Sequence, residues 1–194
     1  MVSTEAVKEL RDKTGVSVMQ CKKALEEVNG NMEQALVILR KHAAAAAAKK
    51  ADRELGAGTV QAYIHSNNEI GTLVELSCET DFVSKNEAFV ALAREIAMHS
   101  TATNPQAIKR EDIAEESLKA ARSVFEKEAA DKPKEIREKI VSGKIDSYLK
   151  DIVLLEQAFI KDPDKSIKDL IEEATQKFGE KVEITRFARF SVRG

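Results

Sequence analysis

The chain has 194 residues, of which 43% are hydrophobic, 33% are charged and 5% are aromatic. Its formal net charge of −2 argues against a chain-wide attraction to nucleic acid or to an anionic membrane, so we expect neither as a partner. Two cysteines, Cys21 and Cys78, supply neither a disulfide framework nor a metal cluster, and they fit a reducing compartment such as the cytoplasm.

Residues 1–40 predict three short helices. Ser17 and Gln20 have the spacing of a capping box at the start of the second helix. Gly30 ends that helix, because glycine tolerates the left-handed backbone that follows a helix, and Asn31 is a favourable cap for the third. A bundle of this size has a marginal hydrophobic core when it stands alone. We therefore interpret residues 1–40 as an appended docking domain.

Residues 41–58 are rich in alanine and lysine, which both favour helix. They predict a solvated helical linker that ends at Gly56-Ala57-Gly58. The basic residues of this linker leave open a contact with RNA, although a run of charge is more often a solvated face of a helix.

Residues 59–194 predict a second domain with an α+β fold. Apolar residues alternate from Thr59 to Cys78 on both sides of the turn cluster Ser66-Asn67-Asn68-Glu69, and this pattern predicts a β-hairpin. Helical periodicity follows at about 85–99.

The remainder of the chain alternates between helix and turn signals. Helices are predicted within 111–155, with a break at Gly143, and again after Ser166, while Asp162-Pro163-Asp164 predicts a turn. The last segment, 182–192, alternates in apolar character and predicts a strand that joins the hairpin. Together these elements predict a three-stranded antiparallel sheet packed with helices.

The stretch LSCETDFVSKNEAF, residues 76–89, joins the hairpin to the next helix. Ser84 begins a predicted capping box, and Val83 is placed to pack against the start of the helix. Adjacent residues of an extended segment point to opposite sides, so an inward Val83 favours an outward Phe82. The residues alone also allow Phe82 to turn into the core. An exposed Phe82 beside Asp81 would form a protein-binding tip.

No catalytic apparatus is evident in the sequence, so we expect no enzymatic chemistry, no cofactor and no bound metal. His42, His65 and His99 lie far apart, and none belongs to a catalytic or metal-ligand motif. The chain has no recognisable phosphate-binding loop of its own. The N-terminal MVSTEAVKEL resembles no signal or transit peptide, and no apolar run approaches the roughly 18 residues of a membrane span.

Three segments resemble the bacterial-type translation elongation factor Ts family. CETDFVSKNEAF matches its Thr-Asp-Phe-Val signature, KELRDKTGVSVMQCKKALEEVNGN is similar to its N-terminal signature, and EITRFARFSV is similar to its closing strand. The resemblance runs through the whole chain in the family's order. It implies a UBA-like N-terminal bundle and a guanine-nucleotide exchange factor that binds elongation factor Tu in its GDP-bound and nucleotide-free forms.

The resemblance also implies a site and a mechanism. In the family, the Asp and Phe of the signature enter the partner's nucleotide-binding domain near its magnesium site, dislodge Mg²⁺ and loosen GDP, so that GTP can bind. The signature residues are Thr80, Asp81, Phe82 and Val83. The residues implied in docking of the N-terminal bundle on the partner are Leu10, Arg11, Met19, Cys21 and Lys22.

This chain departs from the pattern of the family in two respects, its N-terminal signature and its length. Ser17, Val18 and Gln20 stand where the family has a small residue, Met and Asp. Longer relatives carry a duplicated core and a protruding helical hairpin, whereas this chain holds one core copy. Short relatives can form dimers, so the resemblance is compatible with a homodimer.

The alternative from another functional class is a ribosome-associated RNA-binding accessory protein that uses the linker at 41–58. It predicts RNA binding that weakens as salt is raised. The net charge of −2 and the scarcity of aromatic residues weigh against this alternative.

Overall fold

The computed structural model describes residues 2–192. The chain opens with three helices, α1 (Thr4–Thr14), α2 (Val18–Glu27) and α3 (Met32–Lys50). The side chains of Ser17 and Asn31 accept hydrogen bonds from backbone N–H groups in the first turns of α2 and α3, so both residues are the caps that were predicted. The reciprocal contact of the capping box differs, because the Gln20 side chain accepts from the Ser17 hydroxyl at 3.0 Å. Gly30 follows α2 with a φ of 86°, the left-handed conformation expected of a residue that ends a helix.

Helix α3 continues past residue 40 without a break. The alanines that were expected to form a linker extend the third helix of the bundle as far as Lys50, and Ala43 in this extension is buried. The predicted end of the linker at Gly56-Ala57-Gly58 is also wrong in part, because the first strand begins at Ala57 and therefore includes Gly58. The helical character of residues 41–50 was thus predicted correctly, while the chain leaves only a short connection between α3 and the sheet.

The predicted hairpin is confirmed. Its strands are β1 (Ala57–Ile64) and β2 (Ile70–Cys78). The N–H of His65 donates to the carbonyl of Ile70 at 2.9 Å, which closes the pairing next to the turn. Asn68 has a φ of 57°, a conformation that asparagine tolerates better than most residues.

Two helices follow the hairpin, a single turn α4 (Asp81–Ser84) and the long α5 (Glu87–Thr103). Helix α5 ends directly before Asn104-Pro105, where Asn104 has a φ of 50°. Helices α6 (Glu115–Glu128) and α7 (Lys134–Ile152) come next.

The break predicted at Gly143 is wrong, because this residue lies in the middle of α7. A glycine in a helix interior costs about 1 kcal/mol relative to alanine. That cost is offset by packing at the C-terminal end of the helix, where Leu149 and Ile152 are buried and Ile145 and Tyr148 pack against them. Tertiary contacts therefore outweigh the local signal.

The turn predicted at Asp162-Pro163-Asp164 is also wrong. These residues lie in β4 (Asp162–Ser166), which pairs antiparallel with the short β3 (Ala158–Phe159). Phe159 is opposite Asp162, so the turn falls two residues earlier than predicted. Proline is tolerated there because β4 has a neighbour on one side only in this two-stranded sheet.

The chain ends with α8 (Ile167–Phe178) and β5 (Glu183–Ser191). Gly179 follows α8 with a φ of 73°, the left-handed conformation of a residue that ends a helix. The large sheet has the strand order β1-β2-β5, so the last strand joins the hairpin beside β2. The predicted α+β fold with a three-stranded antiparallel sheet is confirmed.

By its internal contacts, the chain divides into two units. The first comprises the residues up to Gln61, Val74–Glu95 and Lys168–Phe187; the second comprises Ala62–Leu73, Ile96–Ile167 and the residues from Ala188. The first unit buries the core of the helical bundle and a second group around Phe89, whose ring meets Phe178 edge to face with centroids 5.7 Å apart. In the second unit, His99 is buried and hydrogen-bonded to Gln157 at 2.9 Å.

Candidate protein-binding site

The segment between β2 and α5 forms one helical turn rather than an extended connection. Thr80 is extended, with φ −128° and ψ 158°, and its carbonyl accepts from the N–H of Ser84 at 3.2 Å. The capping role predicted for Ser84 is wrong, because its hydroxyl donates to the carbonyl of Asp81 at 3.1 Å within the turn. Asn86 precedes α5 and caps it instead, since its side-chain oxygen accepts from the N–H of Ala88 at 2.9 Å.

This turn presents one apolar side chain outward and one inward. Phe82 is 81% exposed, whereas its neighbour Val83 is 4% exposed. Consecutive residues of a helical turn point about 100° apart, so the two side chains leave the backbone in different directions. The structure thus selects the outward orientation of Phe82 from the two that the sequence allowed. We call residues Thr80–Val83 the tip.

Asp81 lies beside the exposed aromatic ring and is fully exposed itself. Its carboxylate accepts a hydrogen bond from Lys85 at 2.7 Å, and both side chains are mostly in solvent. The hydrogen bond and the charge of Lys85 lower the pKa of Asp81. The tip therefore carries an ionised carboxylate and an aromatic ring side by side at neutral pH.

Two glutamates that the sequence did not single out fix the strand exit that leads to the tip. Glu79 accepts from the N–H of Lys181 at 2.6 Å and from the guanidinium of Arg53 at 3.1 Å, and the Lys181 contact is the main cause of its lowered pKa. Glu180 accepts from the hydroxyl of Thr80 at 2.6 Å. Glu79 and Lys181 are 102 positions apart and Thr80 and Glu180 are 100 positions apart, so no local pattern could have revealed these two contacts.

The helical bundle carries a separate surface feature, an open groove of about 370 Å³ lined by α1 and α2 with the residues before them. Three valines give it an apolar wall and three cations surround that wall; they are Val2, Val7, Val18, Lys8, Arg11 and Lys22. We call this feature the N-terminal groove. Met19 follows Val18 and is 69% exposed. Val2, Val18 and Lys8 were not among the predicted docking residues, although Lys8 and Val18 lie within the quoted signature.

The five residues implied in docking fall into two groups in the structure. Arg11, Met19 and Lys22 are exposed, and two of them line the groove. Leu10 and Cys21 are fully buried in the core of the bundle. Burial raises the pKa of the Cys21 thiol, so this cysteine is a small apolar side chain and not a reactive one. Leu10 and Cys21 therefore support the groove from inside.

The family model for elongation factor Ts matches residues 3–194. The chain belongs to the elongation factor Ts family. It is 46% identical over 194 residues to elongation factor Ts of Thermosipho melanesiensis, with 99% of each chain covered. It is 47% identical to that of Carboxydothermus hydrogenoformans and 48% identical to that of Thermoanaerobacter sp. strain X514, of which it covers 89% and 94%.

Membership of the elongation factor Ts family identifies the chain as a translation elongation factor and confirms the resemblance read from the signatures. The coverage values also show that these relatives are of nearly the same length as this chain. Within residues 2–192, no helix has the length and apolar character needed to cross a membrane. The same residues contain no cluster of three or more His, Cys, Asp or Glu side chains that could hold a metal ion.

Proposed function

We propose that this member of the elongation factor Ts family is a guanine-nucleotide exchange factor, which binds elongation factor Tu·GDP, disturbs its Mg²⁺ and phosphate site and promotes release of GDP so that GTP can bind. The observation that carries the proposal is the exposure of Phe82 beside the ionised Asp81 on a turn that is held at its entry. A large aromatic ring exposed to solvent on a fixed turn is a strong anchor for a protein partner.

The tip would act by stabilising an opened form of the partner. Mg²⁺ bridges the phosphates of a bound nucleotide and offsets their charge. A ring inserted near that ion gains buried contact area only when the partner has opened, and such differential contact is what shifts a population. Nucleotide and exchange factor then weaken each other's binding by the same factor, as linkage requires. The exchange step makes and breaks no covalent bond, so it needs no catalytic acid, base or nucleophile.

The N-terminal groove would provide the docking contact. Its apolar wall and the cations Lys8, Arg11 and Lys22 are complementary to a surface that is apolar and acidic. The exposed Met19 adds a flexible apolar side chain at the edge of this contact. With docking at the groove, the tip would work at high effective concentration on the nucleotide site. We place this activity in the cytoplasm, the compartment that the free thiols favour.

The proposal is tested by the release of a fluorescent GDP analogue from purified elongation factor Tu. Catalytic amounts of the wild-type chain should accelerate release. Phe82→Ala should slow the accelerated release by about 30-fold or more, as expected for loss of an aromatic hot spot. The matched control is Val124→Ala, which also truncates an exposed apolar side chain, on α6. Failure of the wild-type chain to accelerate release would refute the proposed function.

The purified wild-type chain also allows a test of the RNA-binding alternative. One cation of the predicted linker, Arg53 just beyond α3, already donates to Glu79 at the strand exit. Salt-sensitive binding of ribosomal RNA, together with no effect on GDP release, would favour that alternative.

We also propose that two copies of this chain pair through the sheet. Phe190 and Val192 are 69% and 78% exposed, and with Ile64 and Leu73 they line an apolar depression of about 430 Å³. A contiguous apolar patch marks an interaction surface, and a two-fold axis allows one patch to cover its own copy. Light scattering after gel filtration should give a dimer mass for the wild type and a monomer mass for Phe190→Asp. A wild-type monomer at high micromolar concentration would refute the pairing.

A further inference from the structure

Glu180 lies at a defined point of the fold, directly after the end of α8. The N–H of Gly179 donates to the carbonyl of Thr175 at 3.0 Å, and the left-handed φ of 73° at this glycine turns the chain away from the helix axis. This reversal brings the side chain of Glu180 to the exit of β2. Glu180 and the exit of β2 both belong to the first unit, which contains Val74–Glu95 and Lys168–Phe187.

The Glu180 carboxylate accepts three hydrogen bonds from two consecutive residues. One oxygen accepts from the backbone N–H groups of Glu79 and Thr80, at 3.1 and 3.0 Å. The other accepts from the Thr80 hydroxyl at 2.6 Å. Hydrogen bonds to an ionised acceptor are shorter and stronger than neutral ones. Three of them on adjacent donors fix both the backbone and the side chain of Thr80.

A second set of contacts runs in the opposite direction. The Glu79 carboxylate accepts from the N–H of Lys181 at 2.6 Å, so each of the two segments supplies a carboxylate to the backbone of the other. The ammonium group of Lys181 also donates to the carbonyl of Arg53 at 3.1 Å. The exit of β2 is thereby held on both sides by the connection between α8 and β5.

This arrangement replaces local capping at the tip. A threonine at the start of a helical turn normally accepts a hydrogen bond from a backbone N–H of that turn. Thr80 makes no such bond, and its hydroxyl is turned towards Glu180, to which it donates. The direction in which the turn leaves β2 is therefore set by a residue 100 positions away in the sequence.

We infer that Glu180 is a positioning residue for nucleotide exchange: it holds Thr80 and so fixes the direction in which Asp81 and Phe82 meet the partner. The expected effect on nucleotide exchange rests on the proposed function, whereas the hydrogen bonds by which Glu180 holds the turn are a property of this chain alone. A side chain that is already oriented loses less conformational freedom when it binds. Without Glu180, the tip samples several orientations, and only a fraction of them insert productively.

The experiment compares Glu180→Ala with Glu180→Gln and with the control Glu116→Ala, which removes an exposed glutamate from α6. Amide hydrogen exchange is measured on a peptide that contains residues 79–84. In Glu180→Ala, exchange in this peptide should rise by about tenfold while peptides from α7 stay unchanged. Glu180→Gln keeps one carbonyl acceptor for the two N–H groups, so it should stay closer to the wild type.

Accelerated GDP release is then measured on the same proteins over a range of concentrations. Glu180→Ala should lower the maximal rate by about 3- to 10-fold, in proportion to the fraction of oriented tips. The concentration that gives half the maximal rate should change by less than about twofold, since docking at the N-terminal groove is untouched. In a Phe82→Ala background, Glu180→Ala should produce no further loss, because both changes disable the same contact.

Three results would overturn the inference. They are an unchanged amide exchange in residues 79–84 of Glu180→Ala, an unchanged maximal rate despite faster amide exchange, and a loss that adds to that of Phe82→Ala. A wild-type chain that does not accelerate GDP release would instead overturn the proposed function. The amide exchange would even then decide whether Glu180 holds the turn.

Discussion

The tip and the N-terminal groove are both exposed, yet they are built in opposite ways. The groove lies on a bundle whose helix starts are local, with Ser17 and Asn31 each capping the helix that follows. The tip depends on distant partners, because Glu180 takes the place of a local cap at Thr80. One surface is a consequence of nearby sequence, and the other is a consequence of how two remote segments meet.

This difference shows what a matched signature means at the level of single residues. In the bundle, the signature mixes residues buried beneath the surface, such as Leu10 and Cys21, with residues that line the groove, such as Arg11 and Lys22. At the tip, the same mixture occurs within two adjacent positions, where Val83 is buried and Phe82 is exposed. Membership of a signature therefore does not separate contact from support, whereas burial does.

The largest effect in this comparison is a loss of stability, expected when a buried residue beneath the groove is truncated. Leu10→Ala should lower the free energy of unfolding by about 2–5 kcal/mol, because it leaves a cavity in a small core. Urea unfolding followed by circular dichroism measures this loss. Wild-type stability together with weakened binding of elongation factor Tu would show that Leu10 is a contact residue after all.

A smaller effect is expected at the surface of the same bundle. Met19→Ala should weaken binding of nucleotide-free elongation factor Tu by about 10-fold, as for a peripheral apolar contact, and should leave unfolding unchanged. Isothermal titration calorimetry measures the binding, and Val37→Ala, at an exposed position of α3, is the matched control. Equal losses in the two variants would remove Met19 from the docking surface.

The smallest effect is expected at the ion pair of the tip. Lys85→Ala removes the main cause of the lowered pKa of Asp81, so that pKa should rise towards its ordinary value. Because the native pKa is lowered, the pair is fully formed at neutral pH and is lost as the pH falls through that pKa. Both groups are exposed, so accelerated GDP release should change by less than about twofold. Carboxyl NMR titration of Asp81 measures the shift, and an unchanged pKa would contradict the assignment of its cause.

Much of the fold follows from patterns of nearby residues. The caps at Ser17 and Asn31, the glycine stops after α2 and α8, and the period of two in the hairpin each depend on residues a few positions apart. The errors have a common cause in packing. Gly143 stays helical because α7 packs through its C-terminal end, and Pro163 enters a strand because that strand needs no second neighbour.

The sequence by itself determined the three helices of the bundle, the three strands of the large sheet, the family and the short stretch in which the tip lies, because capping, turn chemistry and periodicity act over a few residues. Only the tertiary structure decided which residues of that stretch face solvent and what holds them. Thr80 makes no side-chain cap for its turn, and the Glu180 carboxylate, 100 positions away, holds it instead. Such a contact depends on how the connection between α8 and β5 meets the exit of β2, and no local pattern encodes it.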